Sequence, residues 1–129
     1  MPKDSVNTGA CFKAYDEMEC TGKTDGATEA CLRALNAGDL QGVGSLLCND
    51  LYLPATGLNP QVKRAYDEAV SFAPLGVTMT GSGSCVAALF ETRELCEWAK
   101  SRYYGEYKTA VVKTLVPEKI KKWRNPFVL

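Results

Sequence analysis

The sequence contains no histidine among its 129 residues. Histidine is the side chain that most often acts as a general base near neutral pH and that most often ligates metal ions. Six cysteines are present, but no two of them form a Cys-x-x-Cys pair. These absences argue against a zinc site and against acid–base catalysis by histidine.

A net charge and a long apolar run are also lacking. Fifteen basic residues balance fifteen acidic ones, so no net field attracts nucleic acid or an anionic membrane. No apolar run approaches the ~20 residues that span a bilayer, and the first four residues lack the pattern of a signal peptide. Because 46% of the residues are apolar and 23% are charged, we expect one globular domain over residues 1–129.

The cysteines favour a reduced setting. Cys31, Cys85 and Cys96 fall where a small apolar core residue would fit, and buried free cysteine behaves as such a residue. Disulfides belong mainly to secreted proteins. We therefore expect all six cysteines to be free and the protein to be cytoplasmic.

Apolar periodicity predicts helices, and turn signals bound them. The first predicted helix covers 8–18 with Thr8 as its cap, and the second covers about 25–37, begins after Thr24 and Asp25 and is ended by Gly38. A third runs from Asp39 through Leu47. The fourth runs from Asn59 and Pro60 through Phe72, and the fifth from Thr92 to about Tyr103. Strands are predicted at 77–80, 85–91 and 107–116. This order predicts an α+β fold with helices packed on an antiparallel sheet.

A small-residue turn separates the first two predicted strands. Its residues are Thr80, Gly81, Ser82, Gly83 and Ser84. Glycine has no Cβ, so this backbone can adopt positive φ and let a phosphate approach. The hydroxyl groups supply further donors. From these residues alone, a tight hairpin turn is the favoured interpretation.

The flanks of this turn, residues 76–90, resemble the third motif of the GHMP kinases, a family of small-metabolite kinases. Within the family the segment is most similar to the branch that phosphorylates diphosphocytidyl-methylerythritol in the non-mevalonate isoprenoid pathway. The resemblance implies a ferredoxin-like C-terminal domain. It also implies that residues 80–84 support the ATP phosphate loop, with their amides near the triphosphate.

A second segment, residues 5–12, resembles the family segment that follows the strand between the two domains. Carried over, Thr8 would hydrogen-bond the substrate and Phe12 would stack on its cytosine ring. Asn7 stands where the family has serine. The residues alone favour Thr8 as a helix cap and Phe12 as a core residue, and with the resemblance both interpretations stay open.

The family's phosphate loop and its catalytic Asp and Lys lie in an N-terminal domain with no counterpart in these residues. We therefore expect the chain to be the C-terminal half of a two-domain kinase, with no catalytic residue and no metal site of its own. ATP and Mg²⁺ would be used by the full-length enzyme, and neither is expected to bind this half. Alone, it is expected to be inactive.

The resemblance further implies that the sheet lacks its first strand. An unpaired sheet edge invites pairing with another chain, so self-association is expected in the absence of the N-terminal domain.

Three alternatives remain open at this point. The chain could belong to a kinase of the same family with another substrate, or be a non-enzymatic ferredoxin-like module that binds a ligand or a partner. A nucleic-acid binder is the third, because basic residues surround Trp123. We interpret that tail (Lys119, Lys121, Lys122, Arg124) as a solvated terminus and the acidic cluster of Asp16, Glu17 and Glu19 as solvated helix surface.

Overall fold

A computed structural model describes residue 2, residues 4–18 and residues 26–114. In these ranges the chain forms helices α1 (Thr8–Glu17), α2 (Ala27–Ala37), α3 (Leu40–Ser45), α4 (Tyr52–Leu58), α5 (Pro60–Val70) and α6 (Arg93–Arg102), and strands β1 (Gly76–Met79) and β2 (Val86–Leu89). The predicted α+β class is confirmed. No helix within the described ranges is long and apolar enough to cross a membrane.

The helix ends follow local chemistry. The side chain of Asn59 accepts a hydrogen bond from the Gln61 N–H, and Pro60 occupies the first helical position of α5, where its missing N–H costs nothing. Thr92 caps α6, and Gly38 ends α2 in the left-handed region at φ 70°. These three boundaries confirm the prediction, whereas Thr24 and Asp25 lie outside the described residues.

Helix α4 was not predicted. Its sequence contains Pro54 and Gly57, two residues that argue against a helix interior. Pro54 is the third residue of this seven-residue helix, and an N–H at that position has no partner within a helix. Proline is therefore tolerated there, and its ring is buried.

The two strands form an antiparallel hairpin in which Gly76 pairs with Leu89 and Met79 pairs with Val86. Helix α5 packs on both strands and α3 packs on β1. Gly44 of α3 lies so close to Gly76 that a Cβ on either residue would collide with the backbone of the other segment. This contact fixes α3 against β1.

The predicted third strand is wrong over 107–114, which forms no strand; residues 115 and 116 lie outside the described part. Tyr107 is buried, and its N–H donates to the Tyr103 hydroxyl rather than to a neighbouring strand. Val112 is 83% exposed. The β-branched composition of this segment therefore misled the prediction, because a strand needs a partner as well as suitable residues.

The buried core joins α1, α4, α5 and β1. Its members are Val6, Cys11, Ala55, Val62 and Met79, with Leu51 and Tyr52 packed against them. Burying a side chain such as that of Val62 or Met79 contributes about 1.5–3 kcal/mol. This core lies directly beneath the turn between β1 and β2, as the contacts of Gly83 show.

The five cysteines within the described ranges are free, in agreement with the expected thiols; Cys20 lies outside those ranges. Cys11 is fully buried, and burial raises the pKa of its thiol. Cys31, Cys85 and Cys96 are half-buried. The prediction that small apolar positions hold these residues is therefore met only in part.

Candidate functional site

The glycine loop, defined here as residues 80–84, connects β1 to β2. The Thr80 N–H donates to the Cys85 carbonyl oxygen at 2.8 Å, and the Gly83 N–H donates to the Thr80 carbonyl oxygen at 3.1 Å. Gly81 has φ 56° and Gly83 has φ 98°. Both values lie where side chains are disfavoured, so glycine is needed at both positions.

Gly83 also lies directly on the core. A Cβ built on it would be 3.1 Å from Met79 Sδ and 3.2 Å from Val6 Cγ2, whereas a Cβ on Gly81 would meet nothing within 4 Å. The two glycines therefore serve different purposes. Gly83 brings the loop backbone down onto packed side chains, and Gly81 only supplies the turn.

Several donors of the glycine loop are free. Within the described part of the chain, the N–H groups of Gly81, Ser82 and Ser84 have no hydrogen-bond partner, and neither does the Ser84 hydroxyl. Ser84 is nevertheless only 7% exposed. Backbone N–H groups gathered in a turn with positive φ form a concavity that suits anions.

Thr8 lies beside this loop. Its Oγ1 is 2.9 Å from the Oγ of Ser82. The prediction that Thr8 caps α1 is wrong, because the Asn7 side chain accepts the hydrogen bond from the Ala10 N–H and is the cap. Asn7, which stands where the family has serine, therefore caps α1. The Thr8 hydroxyl is left available for contacts outside the helix.

Phe12 follows Thr8 by one helical turn, so both side chains lie on the same side of α1. Phe12 is 51% exposed, which excludes its interpretation as a core residue. Cys11 takes the core position instead, with its thiol directed to the Leu51 carbonyl oxygen at 3.7 Å. The aromatic ring is thus presented to solvent on the helix that touches the glycine loop.

Sequence reasoning missed Asn49. Its Nδ2 donates to the carbonyl oxygens of Met79 at 2.6 Å and Gly81 at 2.9 Å, while its Oδ1 accepts from the Leu51 N–H at 2.9 Å. The last bond is an Asx turn, which is a recognisable local role for asparagine before a helix. The bonds to Met79 and Gly81 span 30 and 32 positions and leave no local signal.

The described residues do not fit a metal site, since no group of three His, Cys, Asp or Glu side chains within them could hold an ion. Asp16 is exposed, and Glu17 forms an exposed ion pair with Lys13 at 3.9 Å. Glu19 and the basic residues around Trp123 lie outside the described ranges. The charged face of α1 is therefore solvated surface.

The arrangement consists of a glycine loop with free amides, fixed on an α+β domain beside a helix that carries Thr8 and Phe12. The family described as "GHMP kinases C terminal" matches residues 31–102, which include Asn49 and the whole glycine loop. The chain therefore belongs to the GHMP kinase family through this C-terminal domain. Thr8 and Phe12 lie outside the matched range.

Individual relatives carry one name, 4-diphosphocytidyl-2-C-methyl-D-erythritol kinase. The chain is 40% identical over 76 residues to that of Carboxydothermus hydrogenoformans, which covers 59% of this chain and 25% of the relative. It is 32% identical to that of Listeria innocua, covering 70% and 30%. With the protein of Symbiobacterium thermophilum the identity is 31%, covering 72% and 33%. The chain thus spans a quarter to a third of the length of these relatives.

Proposed function

We propose that this chain is the C-terminal domain of a kinase that transfers the ATP γ-phosphate to a hydroxyl of the erythritol moiety of 4-diphosphocytidyl-2-C-methyl-D-erythritol. This is a reaction of isoprenoid biosynthesis in the cytoplasm. The shared name of the relatives supports the substrate. The observation that carries the proposal is the contact between Thr8 and Ser82, because it joins the proposed substrate segment to the glycine loop that is proposed to support the ATP phosphates.

The glycine loop is suited to a phosphate-supporting role. The N–H groups of Gly81, Ser82 and Ser84 are free within the described residues. Such donors carry partial positive charge and approach an anion closely because no Cβ or long side chain intervenes. Donors that are already oriented stabilise developing charge without reorganisation. Thr80, Gly81, Ser82, Gly83 and Ser84 are thus proposed to support the triphosphate.

Thr8 and Phe12 are proposed as substrate contacts. The exposed ring of Phe12 offers a flat apolar surface for the cytosine base, and stacking on an aromatic ring contributes about 1–3 kcal/mol per base. The Thr8 hydroxyl already accepts or donates one hydrogen bond with Ser82. It has further capacity for a substrate oxygen, since a hydroxyl combines one donor with two acceptor sites.

By the resemblance, the phosphate loop and the catalytic Asp and Lys would lie in an N-terminal domain. Mg²⁺ bound with ATP in the full-length enzyme would neutralise charge on the phosphates. The described residues of this chain contain no metal ligand set of their own. Their part in the reaction is to position phosphate and base, and positioning supplies much of the catalysis in phosphoryl transfer.

The test is a two-domain chimera in which the N-terminal domain of the C. hydrogenoformans relative is joined to this chain. We expect ATP-dependent phosphorylation of 4-diphosphocytidyl-2-C-methyl-D-erythritol and none of mevalonate, homoserine or galactose. The chain alone serves as the control and is expected to be inactive. Preference for another metabolite, or turnover by the chain alone, contradicts the proposal.

A further inference from the structure

Asn49 hydrogen-bonds to the start of the glycine loop through the Gly81 carbonyl oxygen. We propose that it acts as a positioning residue, holding the Gly81–Ser82 peptide so that the Ser82 N–H faces a bound phosphate. The contacts stand independently, but the role in the reaction rests on the proposed function. Asn49 makes no contact that would mark it as a catalytic residue, because its whole carboxamide is engaged by the protein.

The geometry of one peptide group carries the argument. The Gly81 carbonyl oxygen accepts a hydrogen bond from Asn49 Nδ2 at 2.9 Å. The peptide between Gly81 and Ser82 is trans, and in a trans peptide the N–H points opposite to the C=O. The Ser82 N–H therefore points away from Asn49, and it has no partner within the described residues.

Asparagine suits this position better than similar residues. Two carbonyl oxygens, those of Met79 and Gly81, must be met by donors, and one N–H, that of Leu51, must be met by an acceptor. A carboxamide offers two donors and an acceptor, whereas an ionised carboxylate offers acceptors alone. An aspartate at position 49 would keep the turn to Leu51 and place negative charge against both carbonyls.

Two residues from different parts of the chain form hydrogen bonds with the glycine loop. Asn49 lies between α3 and α4 and holds the start of the loop, while Thr8 on α1 reaches Ser82 at its tip. Leu51, whose N–H bonds to Asn49, packs against the buried core. The core therefore holds Leu51, Leu51 holds Asn49, and Asn49 holds the peptide group that carries the free Ser82 N–H.

The chain offers a matched control in Asn59. Its Oδ1 accepts from the Gln61 N–H at 3.0 Å, and its Nδ2 donates to the Asp4 carbonyl oxygen at 3.1 Å. Asn59→Asp therefore keeps an acceptor and removes a donor, as Asn49→Asp does, but at a place without a bond to the glycine loop. The difference between the variants isolates the effect on the loop.

The first measurement is the amide spectrum of the isotopically labelled full chain. In Asn49→Asp we expect the amide resonances of Gly81, Ser82 and Ser84 to shift and the fast motion of these backbone amides to increase. In Asn59→Asp we expect changes near Asp4 and Gln61 only. If Asn49→Asp does not fold, Asn49→Ser replaces it, because its hydroxyl retains an acceptor for the Leu51 N–H and is too short to bridge both carbonyls. Unchanged loop amides in the folded variant overturn the proposal.

The second measurement is kinetic, in the two-domain chimera. We expect Asn49→Asp to lower kcat/KM for ATP on the order of a hundredfold, with the KM for the diphosphocytidyl substrate equal to that of Asn59→Asp. Equal kcat/KM in the two variants, despite altered loop amides, overturns the positioning role. A chimera inactive before any substitution counts against the proposed function instead, and the amide spectra then still decide whether Asn49 orients the loop.

Discussion

The hydroxyls of Thr8 and Ser82 lie 2.9 Å apart although 74 positions separate them in the sequence. Thr8 is the first residue of α1, and Ser82 is the central residue of the glycine loop. Two segments that resemble separate parts of the same family site are therefore neighbours in space. This hydrogen bond restrains the orientation of the two segments relative to each other.

The first prediction concerns this hydroxyl pair. In a double-mutant cycle with Thr8→Val and Ser82→Ala, we expect a coupling energy of roughly 0.5 kcal/mol in the free energy of unfolding. The value is at the low end for a hydrogen bond, because the pair is exposed. Urea denaturation measures it, and Thr8→Ser, which keeps the hydroxyl, is the control. Purely additive effects of the two substitutions would show that the contact has no energetic consequence.

The second prediction separates the two glycines of the loop. Gly81→Ala should lower the free energy of unfolding by about 1 kcal/mol, the cost of a left-handed alanine. Gly83→Ala should cost more, about 3 kcal/mol, because strain at φ 98° adds to crowding against Met79 and Val6. Chemical denaturation of both variants checks this order. An equal cost at the two positions would mean that the loop lifts freely from the core.

Local signals account for the parts of the fold that were predicted. Asn59 followed by Pro60 fixes the start of α5, Thr92 fixes the start of α6, and glycine marks the hairpin turn. Each signal acts within a few residues, so it can be read from the chain. Asn7 and Thr8 show the limit of this reasoning, since either residue type caps a helix well and only the geometry selects Asn7.

The contacts of the candidate site join distant parts of the chain, and the roles of its residues stay a prediction. The glycine loop was recognised by its own residues, but its anchor Asn49 lies 32 positions before Gly81.

Helix α4 formed despite Pro54 because the proline falls in the first turn. Residues 107–114 form no strand because the Tyr107 N–H donates a hydrogen bond to the Tyr103 hydroxyl and not to a neighbouring strand.

The third prediction tests the aromatic ring proposed to contact substrate. In the two-domain chimera, Phe12→Leu should raise the KM for the diphosphocytidyl substrate roughly tenfold, as expected for the loss of one stacked base. Phe12→Tyr retains the ring and should leave this KM near its original value. The KM for ATP should stay unchanged in both variants. A Phe12→Leu enzyme with an unaltered substrate KM would exclude stacking on this residue.

The fourth prediction concerns alkaline stability. The Tyr103 hydroxyl donates to Glu68 Oε2 at 2.7 Å and accepts from the Tyr107 N–H at 3.2 Å. Burial, followed by the hydrogen bond to Glu68, raises the pKa of Tyr103 from 10.0 to about 12. The neutral form is thus favoured in the folded state. Its contribution to stability is fully present below pH 10 and is lost as the pH rises from 10 to about 12.

Tyr103→Phe removes the pH-dependent contribution of the Tyr103 hydroxyl to stability, together with its two hydrogen bonds. Tyr103→Phe should lower the free energy of unfolding at pH 7 by about 1 kcal/mol and should flatten its decline above pH 10. Part of the decline should persist, because burial also raises the pKa of Tyr52 and Tyr107. Tyr104 is 88% exposed, so Tyr104→Phe should change neither quantity. An unaltered slope in Tyr103→Phe would contradict the assignment.

The fifth prediction is self-association of the chain in the absence of the N-terminal domain. The described sheet has two strands, and open strand edges promote pairing between chains. Phe12 on α1 and Leu53 on α4 are 51% and 58% exposed, and these two helices pack together. Apolar surface of this kind favours a protein contact. We therefore expect sedimentation across a concentration series to show a monomer–dimer equilibrium.

Two substitutions separate this surface from other exposed apolar residues. Combining Phe12→Ser with Leu53→Ser should shift the equilibrium towards monomer, because water then solvates a surface that the dimer would have buried. Leu95→Ser on α6, where Leu95 is 46% exposed, is the control and should leave the equilibrium unchanged. If the unsubstituted chain stays monomeric at high concentration, the unpaired edge does not drive association. If the control weakens the dimer as much as the double variant, the contact lies elsewhere on the molecule.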